Sequence, residues 1–247
     1  MRNVFTLIFC VGAMLSAASP IRAASVTWAD PIAISSVGDS IVRTEGALVD
    51  AINFTPNASP ASHTVNGVTF TNQTAPVPDW KEHHHFASDL YTDGGVGPDF
   101  ELILDSFAYG DQAPTGPNPE TLSLSGLTLG NPYLVQFFVS DDRTFNNATL
   151  RTQNFAADNT SETVANGLSY SLIGVFFADA ATQDVTSTGF PGGHTQGTAS
   201  PILNAYQLRN LAAGAAVVPE PSTLALTTLA LAGLGLAGWR KRKQLRD

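Results

Sequence analysis

The sequence is poor in charge and in sulfur. Only 13% of its 247 residues are charged, and it holds one cysteine and two methionines. That cysteine, Cys10, falls in an apolar N-terminal stretch, so no disulfide framework is available to the rest of the chain. Basic residues are scarcer still in the body. Between Ala24 and Val217 there are five (Arg43, Lys81, Arg143, Arg151 and Arg209) against nineteen Asp and Glu, a net of −14, compared with −9 for the whole chain. A surface of that sign disfavours nucleic acid and anionic lipid, and neither is expected as a partner. Long amphipathic helical patterns are also missing, which excludes a helical bundle. No Gly-x-Ser-x-Gly elbow occurs in the body, which removes the commonest serine-hydrolase signature.

The two ends carry what the body lacks. Arg2, the apolar run Val4 to Leu15 and the small residue closing Ile21-Arg22-Ala23 have the layout of a secretory signal. Cleavage is expected after Ala23, so that the mature chain starts at Ala24. Phe9 is too bulky to precede a lipidated cysteine, so lipoprotein processing at Cys10 is not expected. At the other end, Val218-Pro219-Glu220-Pro221 precedes an uncharged stretch from Ser222 to Trp239, followed by Arg240-Lys241-Arg242-Lys243. Eighteen residues as a helix span about 27 Å, enough for a hydrocarbon core of about 30 Å. The basic cluster would hold that end in the cytoplasm and leave the body outside. The two prolines prevent regular hydrogen bonding at the entry.

This tripartite tail resembles the PEP-CTERM sorting signal of Gram-negative bacteria, over about 30 residues. The resemblance implies recognition by an exosortase, a membrane cysteine protease-transpeptidase, with processing near Pro219-Glu220-Pro221. It also implies a bacterium that makes extracellular polysaccharide or biofilm matrix.

The body from Ala24 to Val217 is long enough for one domain with a sizeable core. It reads as short β-rich runs separated by Gly, Pro, Asn and Asp. The clearest are Ser25–Trp28, Ala47–Phe54, Thr64–Thr71, Thr121–Leu124, Tyr133–Ser140, Thr149–Phe155, Ser169–Phe177, Gln183–Thr188 and Leu203–Arg209. Pro132 to Ser140 is apolar on both faces, which predicts a central strand buried on two sides. Val65-Asn66-Gly67-Val68 predicts a tight hairpin turn. One helix is expected over Pro98–Phe107, with Phe100, Ile103, Leu104 and Phe107 at helical spacing and Pro98 in the first turn. The run Leu122 to Phe138, then Ser140-Asp141-Asp142-Arg143, Ile173-Gly174-Val175-Phe176 and Ile202 to Leu208, resembles jelly rolls of the galactose-binding-like class, over Ser36 to Leu211. That resemblance implies a β-sandwich; many of its members bind glycans, often with a structural calcium.

Several short motifs invite chemistry. Gly38-Asp39-Ser40 resembles the nucleophile block of GDSL-type esterases, but their late Asp-x-x-His is missing: Pro191 stands three residues before His194, the last histidine. His83 and His85 would share one face of an extended segment and suit a transition metal, although a solvent-facing loop is the plainer expectation. Gly94-Gly95-Val96-Gly97-Pro98-Asp99 matches a calcium-binding Gly-Gly-x-Gly-x-Asp repeat, here in a single copy and read as a loop leading into the helix. Calcium could still be held by Asp89, Asp93, Asp99 and Glu101; no other cofactor is expected. Asp141, Asp142 and Arg143 end the strongest strand, where a sandwich carries binding residues; the alternative is a charged turn. Trp80, Tyr91 and Tyr109 could stack on sugar rings or pack in the core. Five Asn-x-Ser/Thr sequons, at Asn53, Asn57, Asn72, Asn147 and Asn159, are attributed to chance in a chain rich in these residues.

The expected protein is therefore an all-β, single jelly-roll-like sandwich with at most one or two short helices. It would comprise a signal peptide (1–23), a sandwich domain (24–217) and a sorting tail with a transmembrane helix (218–247). Its expected role is that of a non-catalytic surface or matrix protein associated with extracellular polysaccharide. A secreted glycan-active enzyme and a purely structural envelope protein are the alternatives.

Overall fold

The computed structural model describes residues 24–74, 80, 82–85, 91, 94–110, 118–141, 152–165, 169–190 and 200–212. In chain order they form β1 (Thr27–Trp28), β2 (Ile32–Ala33), two 3-10 turns (Ile34–Ser36 and Gly38–Ile41), β3 (Ala47–Phe54), β4 (Ser62–Val65), β5 (Val68–Gln73), β6 (Glu82–His85), α1 (Pro98–Leu104) and β7 (Ser106–Tyr109). There follow β8 (Asn118–Leu124), β9 (Pro132–Val139), β10 (Thr152–Ala157), β11 (Thr160–Ala165), β12 (Tyr170–Phe177), β13 (Gln183–Phe190), β14 (Ile202–Leu203) and β15 (Ala205–Asn210). The body is all-β, as expected. The signal segment and the sorting tail lie outside the described residues.

An eight-stranded sheet runs β1-β12-β9-β15-β3-β5-β4, with β2 also on β12. A four-stranded sheet, β11-β10-β13-β8, and a three-stranded one, β14-β7-β6, cover one face of it. Every pairing is antiparallel except β3 with β5. The β4–β5 hairpin turns through Asn66 (φ 48°) and Gly67 (φ 75°), the two left-handed residues that a two-residue loop of this kind requires.

Strand β9 organises both faces. Tyr133, Val135, Phe137 and Val139 point into the sandwich core, while Phe138 joins a second core beneath α1. Phe137 stacks on Phe155 of β10, with ring centroids 4.9 Å apart, and so joins the two larger sheets. Phe138 receives Phe100 of α1 and Phe70 of β5 edge-on, at 5.3 and 5.8 Å. The molecule is thus a sandwich whose main sheet is also covered on its outer face, by α1 and the 3-10 turns.

Covering that outer face leaves polar groups inside, and the chain satisfies them in a row. The Gln136 amide donates to Ile41 O (2.8 Å) and Ser171 Oγ (2.7 Å), and its carbonyl accepts from the Arg43 amide (3.0 Å) and from Gln207 Nε2 (2.6 Å). Two residues along β15 from Gln207, the Arg209 guanidinium donates to the carbonyls of Thr44, Glu45 and Gly46 at 2.7–2.9 Å. These bonds hold residues 41–46 across the sheet.

The helix is shorter than its periodicity predicts. It ends at Leu104, and Phe107 lies on β7, buried in the sandwich core rather than on α1. The cause is Asn204, whose side-chain amide takes the carbonyls of both Leu104 (2.7 Å) and Ser106 (2.9 Å) and so turns the chain into a strand. The histidine run is likewise a strand and not a loop: β6 pairs with β7, His84 opposite Phe107.

Two outcomes follow from this packing. Phe137→Ala should cost about 3–5 kcal/mol in urea unfolding, because it opens a cavity at the stack joining the sheets. A second outcome concerns alkali. Burial, then the bond Tyr206 Oη donates to Asp50 Oδ2 (2.7 Å), raises the Tyr206 phenol above its ordinary value. A raised folded value stabilises fully below the unfolded one, about pH 10, and is lost as pH climbs past it. Tyr206→Phe should therefore show a shallower loss of stability between about pH 9 and 11 than the parent, read from urea midpoints.

Candidate functional site

The main sheet has two unlike ends. At the end where β9 finishes and β15 begins, a line of buried amides and hydroxyls crosses the strands. Ser169 Oγ and Ser140 Oγ share a hydrogen bond of 2.7 Å, and the Ser140 amide donates to Asn204 Oδ1 (2.7 Å). Ser106 Oγ, beside Asn204, donates to Asn53 Oδ1 (3.3 Å), and Asn53 Nδ2 donates to Asn72 Oδ1 (2.9 Å). Asn72 Nδ2 closes the line by donating to the carbonyls of Pro60 (2.6 Å) and Asn57 (3.3 Å).

That last residue frames a hollow of about 80 Å³. Thr55, Asn57, Ser59 and Pro60 line it from the loop after β3, His63 and Asn72 from the β4–β5 hairpin, and Leu102 from α1. His63 is 5% exposed, with Nδ1 3.6 Å from Asp99 Oδ1 and no hydrogen-bond partner for that nitrogen. The lining holds no carboxylate, lysine or arginine. The space admits a few water molecules or one small polar substituent. Its chemistry is that of hydroxyl and amide recognition.

Of the residues expected from sequence to act, only Asp99 comes near the hollow, through His63, among those described. Asp141 is fully buried at the end of β9, so it is not displayed for a ligand. Asp142, Arg143, Asp89 and Asp93 lie outside the described residues. Asp99 and Glu101 are exposed on the first turn of α1, and Asp99 Oδ2 accepts the Thr64 amide at 3.3 Å. No three His, Cys, Asp or Glu gather as a metal site among the described residues. Trp80, Tyr91 and Tyr109 are 4%, 2% and 8% exposed, which makes them packing residues rather than stacking platforms. Trp80 Nε1 donates to Thr121 O, and Tyr91 Oη donates to Gly94 O.

Two glycine motifs explain each other. The Gly97 amide donates to Asp39 Oδ1 at 2.7 Å, and a Cβ on Gly97 would sit 2.6 Å from Asp39 Oδ2. A Cβ on Gly38 (φ 67°) would sit 2.6 Å from Gly95 O. The glycines of 38–40 and 94–97 therefore let two backbones approach. Ser40 Oγ donates to Val37 O (2.9 Å) within its own 3-10 turn.

What sequence reasoning missed was the asparagine line. Asn53, Asn57 and Asn72, set aside there as chance sequons, meet in space: Asn57 and Asn72 line the hollow, and buried Asn53 supports Asn72 from behind. The available signal was three such asparagines within twenty residues.

No protein-family model and no curated protein matches the chain. Among solved structures, the plant receptor-like kinase FER superposes with a TM-score of 0.42 at 12% identity, over 65% of this chain. The chain spans about half, 48%, of that structure. So remote a likeness carries nothing about activity or ligands.

Asn72→Ala removes three hydrogen bonds and leaves Asn53 Nδ2 without its acceptor. It should lower stability by about 2–4 kcal/mol in urea unfolding.

Proposed function

We propose that this is an exported, non-catalytic surface or matrix protein that associates with neutral extracellular polysaccharide through the polar end of its sandwich. The observation that carries the reading is the order of parts in the tail: Val218-Pro219-Glu220-Pro221, the uncharged stretch to Trp239, and the basic stop Arg240-Lys241-Arg242-Lys243. That order is a sorting signal for an exosortase-type enzyme, and the apolar stretch is an inner-membrane anchor before processing.

The architecture supports it. The described chain leaves the sandwich at Ala212, beyond Asn210 of β15, opposite Tyr133 at the start of β9. The hollow lies at the other end of the same sheet, about 25 Å away along an eight-residue strand. An anchored domain would thus hold its hydroxyl- and amide-binding end away from the membrane. The body's net charge of −14 favours neutral polymers over acidic ones. Weak single-site affinity of about 0.1–1 mM, some 4–5.5 kcal/mol, becomes sufficient when many copies meet one matrix.

Two measurements test this reading. Mass spectrometry of the native protein should find a start at Ala24 and loss of the chain beyond about Ser222; recovery of Trp239 with its basic cluster would refute the sorting step. Calorimetry of the mature protein against a panel of neutral polysaccharides should show weak heat, reduced at least about threefold in affinity by Asn57→Ala at the rim of the hollow. Absence of heat with every glycan would leave a purely structural envelope protein. New reducing ends during incubation would make it an enzyme.

A further inference from the structure

The end of the sandwich opposite the hollow has a different surface. Eight large apolar side chains are exposed among the described residues, and four of them belong to this end. Leu129 is 64% exposed and Phe177 66%; Leu48 and Val49 are 42% and 37%. Backbone bonds bring their segments together. The Gly130 amide donates to Ala178 O (2.7 Å), and the Ala178 amide to Asn131 O (3.0 Å). Phe177 is paired opposite Pro132, and Leu48 opposite Arg209. A Cβ on Gly126 would lie 3.3 Å from Val49 Cγ1, which seats the 126–131 loop beside β3.

The chain departs from this same place. The Leu211 amide donates to Pro132 O at 2.9 Å, directly across from Phe177. From Ala212 only residues 213–221 separate the sandwich from the apolar stretch that begins at Ser222. Nine residues reach at most about 30 Å fully extended, so an anchored sandwich cannot move its exit end farther than that from the bilayer. The charges around the exit are the Arg43–Glu45 ion pair, which neutralises itself, the Arg209 guanidinium, which is 6% exposed and turned onto the carbonyls of residues 44–46, and the acids Asp158, Asp179 and Asp184. None of them is an exposed, unengaged cation that would attract an anionic headgroup. Exposed Phe and Leu beside a short tether are the side chains that enter the headgroup–acyl boundary of a zwitterionic surface.

We propose that this exit end is a membrane-docking surface, with Phe177 and Leu129 entering the outer boundary of the bilayer in which the tail is anchored. The inference rests on the anchoring part of the proposed function. Docking fixes the orientation of the sandwich and directs the polar hollow outward, which a single point of attachment would not do.

Single labels test it. Cys10 is the only native cysteine, so the full chain carrying Cys10→Ser accepts a spin label at one introduced cysteine. Phe177→Cys and Leu129→Cys report the exit end, and Phe190→Cys reports the opposite end of β13; all three positions are solvent-exposed enough to carry a label without disturbing the core. The chain is made in a bacterial host without a processing enzyme and reconstituted into phosphatidylcholine vesicles. Labels at 177 and 129 should collide with dissolved oxygen, relative to a water-soluble nickel chelate, on the order of threefold more than the label at 190. Vesicle-bound protein in which all three labels are equally aqueous overturns docking and leaves the anchor intact. Protein that fails to float with vesicles overturns the anchor, and docking with it. Spin–spin broadening at 177 in lipid-free detergent, growing with protein concentration, would show a second copy covering this end and would also overturn the proposal.

Discussion

Strand β9 is buried on both faces, and one glutamine makes that possible. Gln136 lies mid-strand with no exposed surface, and its side chain makes four hydrogen bonds, two given and two received. That exhausts an amide's capacity, two N–H donors and two carbonyl lone pairs, so burial leaves it essentially no desolvation debt. Its partners include the backbone on either side of Val42, at Ile41 and Arg43. Through them, and through Gln207 and Arg209 on β15, the segment 41–46 is drawn over the outer face of the main sheet. Without that cover the face carrying Gln136, Gln207 and Arg209 would stand open to water. The fold would then be a plain two-layer sandwich.

The two cores differ because the two faces are covered by different things. The inner face meets other sheets, and flat aromatic rings stack there, as Phe137 does on Phe155. The outer face meets a seven-residue helix, and rings meet edge-on, as Phe100 does on Phe138. A short helix fills only part of the area, and hydrogen-bonded polar residues fill the rest. The same solution recurs at the hollow's end, where asparagines tie β15, β7, β3 and β5 together. Hydrogen-bonded asparagines at that end, and the two most exposed apolar side chains, Leu129 and Phe177, at the other, make the ends of the sandwich unlike.

Several features were legible in the residues. The two-sided apolar run at Pro132–Val139 announced the central strand, and Asn66-Gly67 announced the hairpin, because both signals are local. Phe107 misled because spacing at i+7 from Phe100 suits a helix, and a buried position on β7 suits it equally. The competing bond from Asn204 comes from a residue about a hundred positions later. The histidine run gave no alternation to read, and only its partner β7 makes it a strand. Asp141 looked like a displayed strand end, and burial of that end depends on neighbouring segments that no local pattern encodes.

By itself, the sequence determined the class of the body, the path of its central strand, its acidic and disulfide-free character, and the order of parts in its two terminal segments. Composition and short-range periodicity are enough for those. Tertiary structure decided which polar side chains are inside, that Asn57 and Asn72 frame one hollow with Asn53 behind them, and that Leu48, Leu129 and Phe177 gather at the end where β15 finishes. Those are matters of register between strands far apart in the chain. A shift of one residue in any pairing would send each side chain to the opposite face, and nothing local records which register was chosen.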